Sequence, residues 1–306
     1  MTRLGPKGPG LSGNSRGVAV SVGSSISFGL IYFLTPLLHP MSGEAVWAMR
    51  ALVAVPFLTI VLLASRDWRL AAEFGHRMRR KPLLALGALA SAALLSAQLW
   101  VFAWAPLNGR AMQVALGYFL LPLVLVVVGR FLYKDRMVWW QWAAAGTALV
   151  GVIYEVIRIG GVSWETLLVA LGYPLYFVLR RSMGTGHVGG MWWDFAIMFP
   201  FAVAVTIWSF TDGSWLASNP ALWWAAPSIS LFAAFALLLY MVASRLLSMS
   251  MFGLLSYVEP AMLLVASLLI GERIAPGEWF TYGAIWAAVL ILVAGGAAEV
   301  LRGRRP

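Results

Sequence analysis

Ten apolar segments of 17 to 24 residues follow one another along this chain, separated by short polar loops. About 20 apolar residues are enough for an α-helix to cross the hydrocarbon core of a bilayer, where every backbone amide must be satisfied within the helix. The chain is 61% hydrophobic and 11% charged, and its mean hydropathy is +0.83. The sequence therefore predicts an all-α integral membrane protein with ten transmembrane helices. The predicted spans are residues 17–38, 44–64, 82–104, 109–129, 138–157, 163–179, 190–211, 221–244, 248–270 and 277–298.

Lysine and arginine are distributed unevenly between alternate loops. Of the 22 cationic residues, 18 fall in segments on one side of the predicted membrane, while Arg110, Arg158 and Arg273 fall on the other and Arg50 lies within a span. Cations collect on the cytoplasmic side, so we expect a multi-pass protein of the bacterial inner membrane with both termini in the cytoplasm. The net charge of +10 then reflects topology and contact with anionic lipid, and no nucleic-acid partner is predicted. The basic segment 66–81 could instead bind a partner, although the topology rule already accounts for it.

Several classes of chemistry lack the residues that they need. The chain has no cysteine, no Gly-x-x-x-x-Gly-Lys phosphate loop and no Gly-x-Ser-x-Gly elbow. Its three histidines, His39, His76 and His187, are far apart and lack metal-ligand spacing. We therefore predict no catalytic residue, no metal site and no cofactor. A membrane enzyme acting on lipid-linked substrates and a non-transporting assembly or receptor protein are the alternatives to a transporter.

Two apolar segments contain the same kind of interruption. The later one carries Tyr257, Glu259 and Pro260, and the earlier one carries Tyr118 and Pro122. A carboxylate or a proline within a membrane span is costly, so each interruption indicates a site or a bend.

The same two regions suggest an internal duplication. An offset of 137 residues aligns Asp135-Arg136 with Glu272-Arg273, and it also aligns Trp142 with Trp279 and Gly146 with Gly283. Since each half has five spans, an odd number, the second half must be inverted in the membrane. Inverted repeats are typical of alternating-access transporters. The predicted divisions are residues 1–16 and 300–306 as cytoplasmic tails, 17–158 as the first repeat and 159–299 as the second.

These residues also carry a family resemblance over residues 17–299. The Glu259-Pro260 pair with Gly271-Glu272-Arg273 resembles the late signature of EamA-type carriers in the drug/metabolite transporter superfamily, and residues 116–119 with Pro122 resemble the early signature. The chain departs from that pattern at Lys134-Asp135, where the family has Gly-Glu. It is most similar to the RarD-like and aromatic amino-acid exporter (YddG-type) branches. The resemblance implies ten helices, inverted repeats and secondary export of a small metabolite.

The branch further suggests that the substrate is an amino acid, aromatic or from a broad range. Efflux of drugs or other small metabolites is the alternative. The motifs specify neither the substrate nor the oligomeric state.

Glu259 is the acidic residue nearest the predicted membrane centre, about 11 residues into its span. Its carboxylate could bind a substrate ammonium group or carry a coupling proton. The alternative is a structural role beside the bend at Pro260. Ser256 and Tyr257 lie close enough in sequence to extend a polar patch.

Arg50 lies within the second predicted span. We expect it to pair with Glu44 or Glu155, and the alternative is contact with a substrate carboxylate.

Other polar or aromatic side chains in span interiors could line a cavity or pack between helices. They are Trp100, Tyr118, Tyr176, Tyr240, Gln98 and Gln113. Pro122 and Pro260 are candidate hinges.

Overall fold

The computed structural model describes residues 11–108, 110–211, 218–270 and 276–303, and all regular structure in these ranges is helical. The Gly271-Glu272-Arg273 motif lies outside the described residues. Short 3₁₀ turns cover Thr35–Leu38 and Pro276–Glu278. The α-helices are α1 (Leu11–Leu34), α2 (Gly43–Ala64), α3 (Trp68–Arg80), α4 (Pro82–Leu107), α5 (Ala111–Phe131), α6 (Trp139–Ile159), α7 (Trp164–Ser182), α8 (Val188–Thr211), α9 (Leu222–Leu246), α10 (Met249–Leu255), α11 (Val258–Ile270) and α12 (Trp279–Gly303).

Among the residues that the structure describes, eight helices are long and apolar enough to cross a membrane, namely α1, α2, α4, α5, α6, α8, α9 and α12. Eight of the ten predicted spans are therefore confirmed as candidates by length and composition. The predicted span 163–179 corresponds to α7, whose 19 residues include Glu165, Arg180 and Arg181. The predicted span 248–270 is divided between α10 and α11. That these two segments also cross the membrane stays a prediction.

The division of the later segment follows from Pro260. In an uninterrupted helix, residue 260 would donate its N–H to the carbonyl of Ser256, but proline has no N–H and its ring would clash with that carbonyl. Instead, α10 ends before Ser256, and Pro260 is the third residue of α11, where an amide needs no partner within the helix. By contrast, α5 continues through Pro122. The expected break is thus present only in the second half of the chain.

The basic segment 66–81, expected to be a loop, instead contains helix α3. Ala71 and Phe74, three residues apart, are buried, whereas the charged residues at positions 69, 73, 79 and 80 are exposed. The indole N–H of Trp193 on α8 donates to the carbonyl oxygen of Ala71 at 2.8 Å. This amphipathic pattern is typical of a helix lying along a membrane surface.

Most of the larger helix pairs are retained when the two halves of the chain are exchanged, although among the described residues the pair α2–α4 has no counterpart between α8 and α9. Helix α1 packs on α9 and α11, and its counterpart α7 packs on α4 and α5. Likewise α2 packs on α9, and α8 packs on α4. The pairs α2–α8, α5–α10 and α6–α12 each join one helix of the first half to its counterpart in the second.

A buried carboxylate joins three of these helices. Asp194 on α8 accepts hydrogen bonds from the Ser91 hydroxyl on α4 at 2.7 Å and from the Tyr176 hydroxyl on α7 at 3.0 Å. It also forms an ion pair with Arg180 on α7 at 3.1 Å. Arg180 and Asp194 are each 1% exposed. Because a buried charge is costly unless it is paired and hydrogen-bonded, this network holds α4, α7 and α8 in one arrangement.

We expect Tyr176→Phe to destabilise the folded protein, because it removes one hydrogen bond to a buried carboxylate. The free energy of unfolding should fall by about 1.5–3 kcal/mol. Tyr154→Phe is a matched control, since the Tyr154 ring is 38% exposed and its hydroxyl has no hydrogen bond to a described residue. Thermal unfolding in detergent measures both. Equal stability of the two variants would contradict a stabilising role for the Tyr176 hydroxyl.

Candidate functional site

A small cavity lies between the two halves of the chain. The space open to the centres of water molecules is about 40 Å³, enough for about three waters. Eight helices contribute to its walls, which are mostly apolar and aromatic. The lining residues are Phe28, Ile31, Arg50, Ala54, Leu99, Phe102, Tyr118, Tyr173, Phe195, Ala233, Ala234, Leu237 and Glu259.

Glu259 enters this cavity from the first turn of α11, directly after the break in the helix. The residue is 6% exposed, and its carboxylate makes no ion pair or hydrogen bond with any residue that the structure describes. The carboxylate interacts electrostatically with the phenols of Tyr118, Tyr173 and Tyr240. A helix N-terminus favours negative charge, so the break provides a favourable position for this side chain.

Arg50 lines the same cavity from α2 and is also 6% exposed. Its guanidinium carbon lies 5.5 Å from the centre of the Phe102 ring, and its Nε has no hydrogen-bond acceptor. Across the part of the chain that the structure describes, no carboxylate lies within ion-pair distance of Arg50. The cavity therefore contains one cation and one carboxylate that do not pair with each other.

The expected pairing of Arg50 with Glu44 or Glu155 is wrong, because both carboxylates have other partners. Glu44 accepts a hydrogen bond from the Trp100 indole N–H at 3.3 Å. Glu155 pairs with Arg158 at 2.5 Å, one helical turn further along α6.

The other predicted residues divide into two groups, and the first surrounds Glu259. Tyr118 lines the cavity. Tyr240 and Ser256 lie beside the cavity, and their hydroxyl oxygens are 3.5 Å apart. Tyr257 faces a neighbouring helix, because its hydroxyl donates to the carbonyl oxygen of Phe119 at 3.2 Å.

The second group connects helices away from the cavity. Tyr176 bonds to Asp194 and Trp100 to Glu44. The Gln98 amide donates to the carbonyl oxygen of Leu168 on α7 at 2.7 Å. Gln113 accepts a hydrogen bond from the Thr166 hydroxyl through its backbone carbonyl, also at 2.7 Å.

Sequence reasoning missed Tyr173, which lines the cavity one helical turn before Tyr176. Both tyrosines lie on the buried side of α7, and their spacing of three residues places them near the same face. Arg180 lies four residues after Tyr176 on the same side of α7, and it pairs with Asp194 of α8. An arginine at this position in the sequence indicates that this part of the face contacts a polar partner in the protein. Phe28, Phe102 and Phe195 were also missed, because an aromatic residue in a span carries no sign of which side it faces.

A layer of four aromatic rings adjoins the cavity. Tyr173 lines the cavity and stacks on Phe177, with ring centres 6.4 Å apart. Phe177 in turn contacts Tyr240 and Phe252, whose centres lie 5.7 and 5.2 Å from its own. Phe177 also lines a second, separate cavity. The four-ring layer, formed by Tyr173, Phe177, Tyr240 and Phe252, therefore lies between the two cavities.

Comparison with known proteins decides the family. The chain is 37% identical over 279 residues to the chloramphenicol-sensitive protein RarD of Pseudomonas aeruginosa, covering 91% of this chain and 93% of that protein. The chain belongs to the RarD family of membrane transporters. It is also 33% identical to an uncharacterized transporter of Pasteurella multocida, over 85% of this chain and 89% of the relative. An uncharacterized transporter of Haemophilus influenzae is 32% identical, with 92% and 94% covered.

Two further comparisons concern the fold. No protein-family model matches the chain. One protein of known crystal structure superimposes on it with a TM-score of 0.65, covering 93% of this chain and 99% of the other at 14% identity. At that identity the likeness shows a shared fold alone. With its apolar helices, this RarD-family member is a multi-pass transporter of a bacterial membrane, acting on a small molecule.

We expect single cysteines at Ala54 and Ala234, which line the cavity, to react with a small thiol reagent during turnover. Cysteines at Ala48 and Ala243, on the same two helices but fully buried away from the cavity, are matched controls and should stay protected. Each variant has one thiol, because the chain has no cysteine of its own. Equal labelling at all four positions would contradict a water-accessible pathway through this cavity.

Proposed function

We propose that this RarD-family transporter is an EamA-type secondary exporter of amino acids. The observation that supports the proposal is the presence of Arg50 and Glu259 on one cavity, each buried and neither paired with the other. An amino acid carries the complementary pair of charges, an ammonium and a carboxylate on the same carbon. Its binding would give both protein charges a partner.

The chemistry of the cavity walls suits such a ligand. The guanidinium of Arg50 can donate two parallel hydrogen bonds to a carboxylate, and Glu259 can accept from an ammonium group. The rings of Phe28, Phe102 and Phe195 offer an apolar surface to the substrate side chain. A mostly apolar pocket with a few polar groups is the usual form of a small-molecule site.

Alternating access requires that the cavity open to one side at a time. In this structure the four-ring layer lies between the central cavity and the second one, so the layer would have to part for substrate to pass. Pro260 at the start of α11 and Pro122 within α5 are the proposed hinges. Helix α10 lies close to α5 at this level, since a Cβ added to Gly253 would be 2.8 Å from the carbonyl oxygen of Pro122.

We also propose that the ten-helix arrangement is an inverted repeat, with residues 17–158 and 159–299 as its halves and both termini cytoplasmic. Most of the larger helix pairs are retained when the two halves are exchanged, which supports it. Alternation of the basic residues along the loops supports it independently.

Drug efflux is the second candidate. It is favoured by the aromatic walls of the cavity and by the name of the Pseudomonas aeruginosa relative, which mentions chloramphenicol. A neutral drug would use the aromatic walls and would need neither charge.

Substitution of each charge should change which part of the substrate is recognised. We expect Glu259→Gln to weaken recognition of the transported amino acid and of its decarboxylated amine about ten- to hundredfold, while the deaminated acid is unaffected. Arg50→Gln should weaken recognition of the amino acid and of the deaminated acid by a similar factor, while the decarboxylated amine is unaffected. The measurement is competition by each analogue against the radiolabelled amino acid in proteoliposomes, after a screen of the twenty amino acids.

Glu44→Gln and Arg110→Gln are the matched controls, because these charges lie away from the cavity. The amino-acid proposal fails if none of the twenty is transported. Export of chloramphenicol with both variants fully active would support drug efflux instead. The pH dependence of transport by Glu259→Gln tests coupling, and an unchanged rate and pH profile would exclude Glu259 as the proton carrier.

The ten-helix arrangement predicts that α7 crosses the membrane in spite of its charges. Single cysteines at Val162, before α7, and at Ser182, at its end, should then be labelled by a membrane-impermeant reagent from opposite sides. Right-side-out and inverted vesicles distinguish the sides. Labelling of both positions from one side would contradict the crossing.

A further inference from the structure

The second cavity lies at the end of α7 and α9 and is larger than the central one. The space open to the centres of water molecules is about 240 Å³. Arg180 and Arg181 at the end of α7 and Arg245 at the end of α9 line it, and Met241 and Phe177 form an apolar wall. This end of the bundle is the one that the charge pattern predicts to be cytoplasmic.

The positive charges around this cavity exceed the negative ones. Arg180 is paired with Asp194, yet its Nε is buried without an acceptor. Arg181 lies over the ring of Tyr133 at 4.2 Å, and neither Arg181 nor Arg245 pairs with a carboxylate among the residues described. Two arginines are therefore left without a counter-charge at the edge of a cavity.

His187, in the loop between α7 and α8, adds a further donor. Its Nδ1 accepts a hydrogen bond from the N–H of Gly190 at 3.2 Å, so the proton of the neutral ring is on Nε2. Burial, together with the nearby Arg180, Arg245 and Arg77, lowers the pKa of His187 to about 4, while Asp67 acts in the opposite direction. The imidazole is therefore neutral at pH 7, first because it is partly buried and then because the surrounding arginines disfavour a second positive charge.

We infer that this second cavity is an anion-binding site that takes a phosphate group, either free in solution or on a lipid headgroup. The arginines can donate to the phosphate oxygens, and the apolar wall can pack against the carbon atoms of a headgroup. Basic pockets between transmembrane helices are known to hold lipid phosphates. The inference goes beyond the proposed amino-acid export and does not depend on it.

The test uses His187 as a reporter in the full-length protein. A bound phosphate partly cancels the surrounding positive charge, so the pKa of His187 should rise from about 4 towards its ordinary value of about 6.5. Histidine NMR signals are followed against pH, with His187→Gln identifying the signal and the signals of His39 and His76 as internal references. One arm adds inorganic phosphate to protein in a phosphate-free maltoside detergent, and the other compares the protein in that detergent with the protein in nanodiscs of phosphatidylglycerol.

Variants that each remove one arginine charge, either at the cavity or away from it, provide the matched comparison. Arg245→Gln and Arg181→Gln, both at exposed positions, should each weaken phosphate binding at least about tenfold. Arg79→Gln removes an equal charge from the exposed face of α3 and should leave binding unchanged.

A response to inorganic phosphate supports a soluble ligand, and a response only to phosphatidylglycerol supports a lipid headgroup. Absence of a response in both arms overturns the inference. Equal weakening by Arg79→Gln and Arg245→Gln also overturns it, because the effect would then be one of general surface charge.

Discussion

The lack of hydrogen-bond partners in hydrocarbon governs this structure. A polar side chain within the bilayer must find a partner in the protein or face a space that water or a ligand can fill. Most of the buried polar groups here satisfy the first condition, as Asp194 does with Ser91, Tyr176 and Arg180. Arg50 and Glu259 do not, and both face the central cavity. Among the buried charged residues that the structure describes, the absence of an ion-pair partner therefore distinguishes the candidate site from the structural polar network.

The site also depends on a change in backbone direction. Pro260 ends the first part of its segment, and the new helix begins at Val258, so that Glu259 occupies a first turn instead of the middle of a continuous helix. The Glu259-Pro260 pair thus supplies the charge and the break, and the break places the charge at a helix N-terminus, where the helix dipole favours it. The first half of the chain has a proline at the corresponding place but no carboxylate, and its helix continues. The two halves share a pattern of helix pairs and differ in the chemistry that they bring to the cavity.

Hydropathy and charge predicted much of the fold, because the bilayer imposes the length and composition of a span. Eight spans were found this way, as were Glu259, Tyr118 and Arg50 as candidate cavity residues. The rotation of each helix was not predictable. An apolar helix in lipid has no polar face to reveal which side meets its neighbours, so Tyr176 was expected where Tyr173 lies. Helix α3 was missed for a related reason, since its basic residues were already explained by the side of the membrane.

The Asp194 network has a consequence for how such a protein can move. Ser91 belongs to the first half of the chain, whereas Tyr176, Arg180 and Asp194 belong to the second. If each moving body consisted of one half, the buried hydrogen bond between Ser91 and Asp194 would break in every transport cycle. A body that groups α4 with α7 and α8, opposite one that groups α9 with α1 and α2, keeps this network intact and retains the helix pairs within each group. Helix α2 then contacts α8 and α4 across the boundary between the two bodies. The proposed repeat and the moving body would then be different units, with each moving body assembled from helices of both halves of the chain.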